Sequence, residues 1–459
     1  MATQSDKEIL DLIGVGLGPF NLGLAAMLAG APEVKALFLE QKPRFAWHPG
    51  LLIEGTTLQV PFLADLVTMA DPTSRYSFLN YLKERNRLYH FYFLERFHIP
   101  RREYNHYCQW VSEQLDICCF GQKVTHIEWI HDQRRRYFQV EATDTHTGET
   151  LVYRTRHLVL GVGSVPHLHP RFKGLPAEDV FHSARFLDRL DRCRKAKSIT
   201  VIGSGQSAAE VFYILLQEQI SYGYRLDWFT RSDGFFPMEY SKLGLEHFSP
   251  DYTSYFYSLP QHQRDNRLRQ QDLLYKGISA KTIADIYDLL YERTVGEQEI
   301  PARLLAQTEV QEIQPLKTEG NPTYRLHCLH REQAKRFTHD SEVVILATGY
   351  QHRIPECISG LSSLIRWDSG GRYVVQSDYR LALNEDTDNM IFVQNGELHT
   401  HGVGAPDLGL GAYRNSVIIN TLTGRDIYPV HDRNVYQQFG VPESEQEPAA
   451  FLQQTSLLR

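Results

Sequence analysis

Apolar positions along this chain gather into short unbroken runs that end on glycine, and helix-spaced stretches follow them. Ile9-Leu10-Asp11-Leu12-Ile13-Gly14-Val15 closes on Gly16-Leu17-Gly18-Pro19-Phe20-Asn21, and Ser198-Ile199-Thr200-Val201-Ile202 closes on Gly203-Ser204-Gly205-Gln206-Ser207-Ala208. Such runs read as buried strands of a parallel sheet, each feeding a helix. A second strand is predicted at Ala36-Leu37-Phe38-Leu39, ending on Glu40, and its counterpart at Arg225-Leu226-Asp227-Trp228-Phe229-Thr230, ending on Arg231. Two more runs, Leu158-Val159-Leu160-Gly161-Val162-Gly163 and Val343-Val344-Ile345-Leu346-Ala347-Thr348-Gly349-Tyr350, read as the outward and return crossings between two units. Residues 103–115 set Tyr104, Tyr107, Val111 and Leu115 on one helical face, a core face. Between 236 and 300, many aromatics and the breaks at Pro237, Pro250 and Pro260 interrupt the strand-helix rhythm. That stretch predicts an irregular helical insertion, a natural wall for a cleft.

The predicted fold is therefore α/β: two Rossmann-like dinucleotide-binding domains with a smaller, mostly helical, substrate-binding insertion. Residues 1–180 and 340–459 are assigned to the first domain and 181–339 to the second, with 236–300 as the insertion. In each glycine turn the backbone bends tightly and approaches a pyrophosphate, which rests on the helix N-terminus. The strand-end residues differ in sign. Glu40 can accept hydrogen bonds from a ribose 2′-hydroxyl, which fits FAD or NAD, whereas Arg231 puts a cation where a 2′-phosphate would sit, which fits NADPH. Two nucleotides on one chain point to electron transfer between them.

Composition narrows the class. A chain of 459 residues is too long for one ordinary core, and 42% hydrophobic with 22% charged residues is the balance of a globular protein. A net charge of -7 argues against nucleic acid or an anionic membrane as partner. Arg134-Arg135-Arg136 beside a strand-like run reads as a solvated hairpin end. Met1–Glu8 lacks the basic and apolar regions of a signal peptide and no run is long enough to cross a bilayer, so a cytoplasmic protein is expected. The six cysteines include no CxxC pair, which lowers a disulfide-reducing flavoprotein reductase; the intact turns lower a non-catalytic nucleotide-binding regulator. His167 with His169, and His399 with His401, have HxH spacing, but no acidic or cysteine ligand lies at useful spacing, so no metal is expected.

Gly16 to Asn21, Phe45-Ala46-Trp47-His48-Pro49-Gly50, Phe62-Leu63-Ala64-Asp65-Leu66-Val67, Asp71-Pro72-Thr73, the GxGQSA turn, Ala347-Thr348-Gly349-Tyr350 and Thr400-His401-Gly402 occur in one order. Together they resemble the flavin-dependent N-hydroxylating monooxygenases of siderophore biosynthesis, the lysine and ornithine N-monooxygenases and, most closely, the diamine N-monooxygenases. The resemblance covers nearly the whole chain. Phe172-Lys173-Gly174 with Phe181-His182-Ser183-Ala184-Arg185-Phe186 partly echoes the Baeyer-Villiger flavin monooxygenases, with stretched spacing. The family implies that NADPH reduces FAD, that O₂ forms a C4a-hydroperoxyflavin, and that a neutral primary amine takes the distal oxygen. It implies no catalytic side chain beyond the flavin and bound NADP, and a homo-oligomer, often a tetramer.

By matching motif, Gly16, Gly18, Pro19, Asn21, Glu40, Trp47, His48 and Gln59 are expected at FAD, and Gly203, Gly205, Gln206, Ser207 and Arg231 at NADPH. Thr348, Gly349, His401 and Gly402 are carried over as cofactor residues too. Amino-acid hydroxylases of the family carry a lysine in the Phe-Leu-Lys-Asp segment that pairs with the substrate carboxylate; here that position is Ala64. An asparagine and a small polar residue that help hold the amino acid align with Leu245 and Gly409. Burying an unpaired carboxylate is costly, so these replacements point to a diamine, putrescine or cadaverine, rather than lysine or ornithine. Its distal ammonium needs a carboxylate or an aromatic face, for which Glu397, Asp407, Tyr240, Glu246 and Tyr275 are the candidates.

Overall fold

The computed structural model describes residues 9–131, 135–316, 321–442 and 445. Met1–Glu8 and Arg134, on which two of the expectations rest in whole or part, lie outside them.

Leu10–Val15 pairs in parallel with Ala36–Glu40 on one side and with the end of Thr150–Leu160 on the other. Cys118–Phe120 extends one edge, the antiparallel strands Arg136–Asp144 and Gln122–His131 extend the other, and Ile391–Val393 joins Thr150–Leu160, making seven strands. Leu12 packs into one core with the helix Pro19–Met27, and Ile13 and Val15 pack into a second core beneath Phe138, Val140 and Ile391. Burial on both faces is why this strand is apolar at consecutive positions. His131 lies opposite Arg136, so Arg136 begins the returning strand of an antiparallel pair. Helix Arg101–Ser112 buries Tyr104, Tyr107 and Val111 in the first core; Leu115 lies beyond its end, packed on the same cluster.

The second sheet is fully parallel, in the order Ala302–Leu305, Arg225–Phe229, Ser198–Ile202, Val343–Leu346, Val180–His182. Val180 thus belongs to this sheet, and so does Val343–Leu346. The expected boundaries at 180/181 and 339/340 give way to the hydrogen-bonded positions. The crossings are Ser164–Pro166 and Tyr350–His352, which pair with each other as an antiparallel two-stranded link. An antiparallel three-stranded sheet, Thr308–Leu316, Thr323–His330 and Lys335–Ser341, flanks the second unit and has no counterpart among the expectations.

The segment 236–300 is largely helical, but two of its three prolines start helices rather than break them, while Pro237 bridges Ile278. Pro250 is the first residue of Pro250–Ser258 behind the Ser249 cap, and Pro260 caps Gln261–Gln270. Its last helix, Ala280–Arg293, places Ile283, Ile286, Leu289 and Leu290 in the second unit's core. It is the crossover between Arg225–Phe229 and Ala302–Leu305, so the irregular part of the insertion ends before it. All six cysteines are free. Among the described residues no helix is long and apolar enough to cross a membrane.

Candidate functional site

The first turn is built to be sealed. Gly16 has φ +83°, and a Cβ there would lie 2.8 Å from the Gly161 carbonyl oxygen. Asn21, fully buried, donates to the Gly16 carbonyl at 2.7 Å and accepts from the Gln394 amide at 2.9 Å. It fills the space over Gly161 that a third glycine would leave open, since a Cβ on Gly161 would strike its amide at 2.4 Å. Glu40, 8% exposed, accepts from Leu17 N at 2.9 Å and Lys42 N at 3.0 Å, so its carboxylate is fixed at the turn. Pro19 opens the helix, no side chain caps it, and a Cβ on Gly18 would meet nothing within 4 Å.

The second turn repeats this geometry with a more open rim. Gly203 has φ +146°, with Ala347 O only 2.2 Å from where a Cβ would sit, and its carbonyl accepts from the Trp228 indole at 2.7 Å. Gly205 caps Gln206–Tyr222 without a side-chain hydrogen bond, and a Cβ there would meet only the Lys276 carbonyl at 3.4 Å. Ser207 stands half-buried in the first turn of that helix. Arg231 is exposed just past its strand, and Arg331 reaches its carbonyl at 3.5 Å, bringing a second guanidinium that sequence reading missed. The Gln206 side chain faces the protein. Its Oε1 accepts from Ser279 N at 2.7 Å while its Nε2 donates to Glu210 at 2.9 Å and Thr282 at 3.1 Å, so its side chain is committed to protein.

Aromatic rings occupy the seam between the units. Trp47 stands edge-on to His48 and Tyr104, and Tyr350 lies between His48 and His182 at 5.2 and 5.3 Å. His48 holds φ 46°, and Gly50 beside it presses so close to Ala184 that a Cβ would fall 1.9 Å from its carbonyl. Burial first, then the charges of Arg101 and Lys42, pull His48 down to about 4, so it is neutral at pH 7. Ala184 N donates to His182 Nδ1, leaving Nε2–H to donate to the Gly349 carbonyl at 2.9 Å. The Thr348 hydroxyl donates to the His167 carbonyl. Thr348 and Gly349 therefore hold the crossing together.

Five of the expected residues gather at a separate cluster. The Tyr240 hydroxyl donates to the Gln59 carbonyl at 2.6 Å, tying the insertion to the first unit. Gly409 lies between Ala64 and Asp407: a Cβ on it would be 3.8 Å from Ala64 Cβ and 2.8 Å from Asp407 Oδ1. Asp407 accepts from Gly409 N at 2.7 Å, and desolvation lifts it to about 6. Burial, helped by the Asp407 charge, lifts Tyr240 to about 12, so it stays a neutral phenol. The adjoining Asp65 is the segment's anchor. It is 4% exposed and accepts from Val67 N, Thr68 N, the Thr68 hydroxyl and Phe78 N.

Other expected residues are engaged elsewhere. Glu397 is fully buried and ion-paired with Arg414 at 3.2 Å, so its charge is already matched and it is not free for an ammonium. The Glu246 carboxylate accepts from Tyr436 N and Gln437 N, which commits it to the C-terminal segment. Tyr275 carries the Lys276 ammonium 5.0 Å over its ring, a cation from its own chain. Leu245 is 38% exposed at the end of a short helix. The His401 ring is buried, stacked on Tyr379 at 4.3 Å, and burial draws it down to about 3; Gly402 packs under Phe256. His399 bonds the Tyr373 carbonyl and His169 Nδ1 accepts from Arg171, so the HxH histidines serve the fold. Arg101 and Glu210, which no local pattern marks, form a bidentate pair at 2.8 Å across the seam.

Both turns fit a dinucleotide. Each offers uncapped helix N–H groups beside a glycine whose missing Cβ leaves room, the donor set a pyrophosphate needs. Comparison with known proteins agrees over the same span. The chain is 45% identical over 445 residues to the rhizobactin siderophore biosynthesis protein RhbE of Rhizobium meliloti, covering 96% of this chain and 97% of that one. It is 44% identical over 450 residues to a putrescine N-hydroxylase of Shewanella oneidensis, covering 97% and 88%. Among solved structures it matches DfoA of Erwinia amylovora, a cadaverine monooxygenase of desferrioxamine biosynthesis bound to FAD, with TM-score 0.90 and 40% identity over 95% of this chain and 100% of that one. Residues 8–352 match the family model described as L-lysine 6-monooxygenase/L-ornithine 5-monooxygenase, and the chain belongs to that family.

Proposed function

We propose that this protein is an FAD- and NADPH-dependent N-monooxygenase that hydroxylates one nitrogen of a short aliphatic diamine, putrescine or cadaverine, for hydroxamate siderophore biosynthesis. The balance is amine plus O₂, NADPH and a proton going to hydroxylamine, water and NADP⁺. The first turn, with Gly16, Gly18, Pro19, Asn21 and Glu40, is the FAD site; the second, with Gly203, Gly205, Ser207 and Arg231, is the NADPH site. Bound FAD, once reduced by NADPH, supplies the activation of O₂. The chain's own residues bind and orient the amine, exclude water and keep the reacting nitrogen unprotonated. That last task costs roughly 4 kcal/mol, because an alkylamine titrates about three units above neutral pH.

The observation that carries the substrate reading is Asp407 beside Ala64 and Gly409: a desolvated carboxylate stands where an amino-acid hydroxylase would need a cation. Such a group attracts the distal ammonium of a diamine and repels the carboxylate of ornithine or lysine. The relatives named for putrescine and cadaverine, at 44% and 40% identity, support it. Six free thiols suit a reducing cytoplasm, and a homo-oligomer, as the family resemblance implies, is part of the same reading.

The test offers putrescine, cadaverine, L-ornithine and L-lysine separately to FAD-loaded protein and measures hydroxylamine against NADPH oxidised. Product from the diamines alone is expected; product from an amino acid alone overturns the reading. Asp407→Asn should lower diamine kcat/KM by about tenfold to 100-fold, the worth of one charge-assisted hydrogen bond of about 1.5–3 kcal/mol. Asp407 is ionised above about 6 and loses its charge below it, so diamine kcat/KM should fall as pH drops through that value. In Asp407→Asn the additional fall through about 6 should be absent, leaving only the steady decline that protonation of the reacting amine imposes.

A further inference from the structure

Three parts of the molecule meet at one buried carboxylate. Glu210, 4% exposed, lies one helical turn after Gln206 in Gln206–Tyr222, on the face toward the first unit. Its two oxygens accept from both terminal nitrogens of Arg101, at 2.8 Å each, and Arg101 NH1 also donates to the Leu51 carbonyl at 3.0 Å. Arg101 opens its helix and is fastened at the backbone, its N–H donating to the Thr56 carbonyl at 3.0 Å. Glu210 Oε1 also accepts from Gln206 Nε2 at 2.9 Å. Gln206 passes the link on, from its Nε2 to Thr282 and from Ser279 N to its Oε1.

We infer that Glu210 is a positioning residue: it brackets the first unit, the glycine turn of the second unit and the start of the crossover helix into one geometry in which the second turn accepts its nucleotide. The inference rests on the reading of that turn as the NADPH site. The chemistry explains the residue types. A fork of two parallel N–H···O bonds fixes direction as well as distance, which a lysine could not do. Glutamine at 206 has an acceptor and a donor on one planar group. It can take Ser279 N on one side and give to Glu210 on the other, so a shift of Glu210 reaches the crossover helix through a single amide. Gln206 adjoins Gly205, the residue whose open side faces the Lys276 carbonyl, so the same shift alters the floor of the pyrophosphate cradle.

The test uses the FAD-loaded full chain. In Glu210→Gln one of the two acceptor oxygens becomes an NH2 donor and the charge is lost, so the Arg101 fork can no longer be matched on both arms. NADP⁺ affinity, titrated at equilibrium without amine, should fall by about tenfold or more while FAD content stays near the parent's; the melting temperature falls as well, because Arg101 keeps a buried charge without its partner. Amide exchange at Ser279 should rise by a similar factor, since its N–H is held by Gln206. Thr282→Val, which removes only the outer arm, should shift both readings the same way by about threefold, and it serves where Glu210→Gln does not fold. Arg101→Lys should fall between the two in NADP⁺ affinity. Parent-like NADP⁺ affinity and parent-like exchange in folded Glu210→Gln overturn the inference. Faster exchange in a chain whose parent form binds no NADP⁺ leaves the bracket standing and overturns the nucleotide reading instead.

Discussion

The two glycine turns share a backbone plan and differ in how firmly they are closed. Around the first, Asn21 is fully buried, Glu40 is 8% exposed with both oxygens bonded, and the helix Pro19–Met27 buries every residue but Phe20. Around the second, Arg231 is exposed, Ser207 is half-buried, and fewer than half of the positions in Gln206–Tyr222 are buried. A closed, pre-bonded cradle suits a group that stays in place through turnover. An open one with an exposed cation at its rim suits a nucleotide that enters and leaves each cycle. The difference follows from surroundings: the first turn sits under the C-terminal helix Gly411–Thr423, whose Asn415 donates to the Phe20 carbonyl, while the second faces the insertion.

The largest expected effect that separates the turns is Gly203→Ala. Its Cβ would sit 2.2 Å from Ala347 O on a backbone at φ +146°, a cost of about 2–4 kcal/mol from overpacking and strain. Loss of NADP⁺ binding with FAD retained, read by titration and absorbance, is the expected outcome; loss of FAD as well would mean the two cradles are not independent. Next is Arg231→Ala, which should weaken NADPH by about tenfold to 100-fold and NADH by about twofold or less, measured as coenzyme KM. Equal losses would take the 2′-phosphate from Arg231 and leave Arg331 as its holder. The smallest effect on the fold is Gly18→Ala. A Cβ there meets no protein atom, so the apoprotein's stability should change by no more than about 0.5 kcal/mol while FAD affinity falls. Unchanged FAD affinity would mean the open space at Gly18 is not where the pyrophosphate lies.

Much of this was legible in the chain. The strand-turn-helix units and the two strand-end charges came from apolar runs bounded by glycine, because a sheet buried on both faces leaves no polar alternation to disguise it. The tyrosine face of 103–115 was equally plain, three of its four positions being buried in helix Arg101–Ser112. The domain boundaries were not, because Val180–His182 is a short strand whose membership depends on pairing with Val344–Leu346, far along the chain. Prolines 250 and 260 misled as breaks because a proline is also the residue best suited to begin a helix. Among the substrate candidates, Glu397 and Glu246 looked as available as Asp407; Glu397 is matched by Arg414 and Glu246 holds the backbone of Tyr436 and Gln437, while Asp407, itself bonded to Gly409 N, is the one that stands beside Ala64.

The sequence by itself determined the two nucleotide units, the opposite charges that end their second strands, and an alanine where an amino-acid hydroxylase would carry a lysine. Only the tertiary structure decided that Glu210 answers Arg101 across 109 residues, that Asp407 stands beside Ala64, and that the Gln206 side chain links Glu210 to Ser279 and Thr282. The reason is physical. Periodicity and glycine placement record constraints within a few residues of backbone, while the charge a buried carboxylate carries, and what it can hold, depends on side chains that meet only when separate cores pack together.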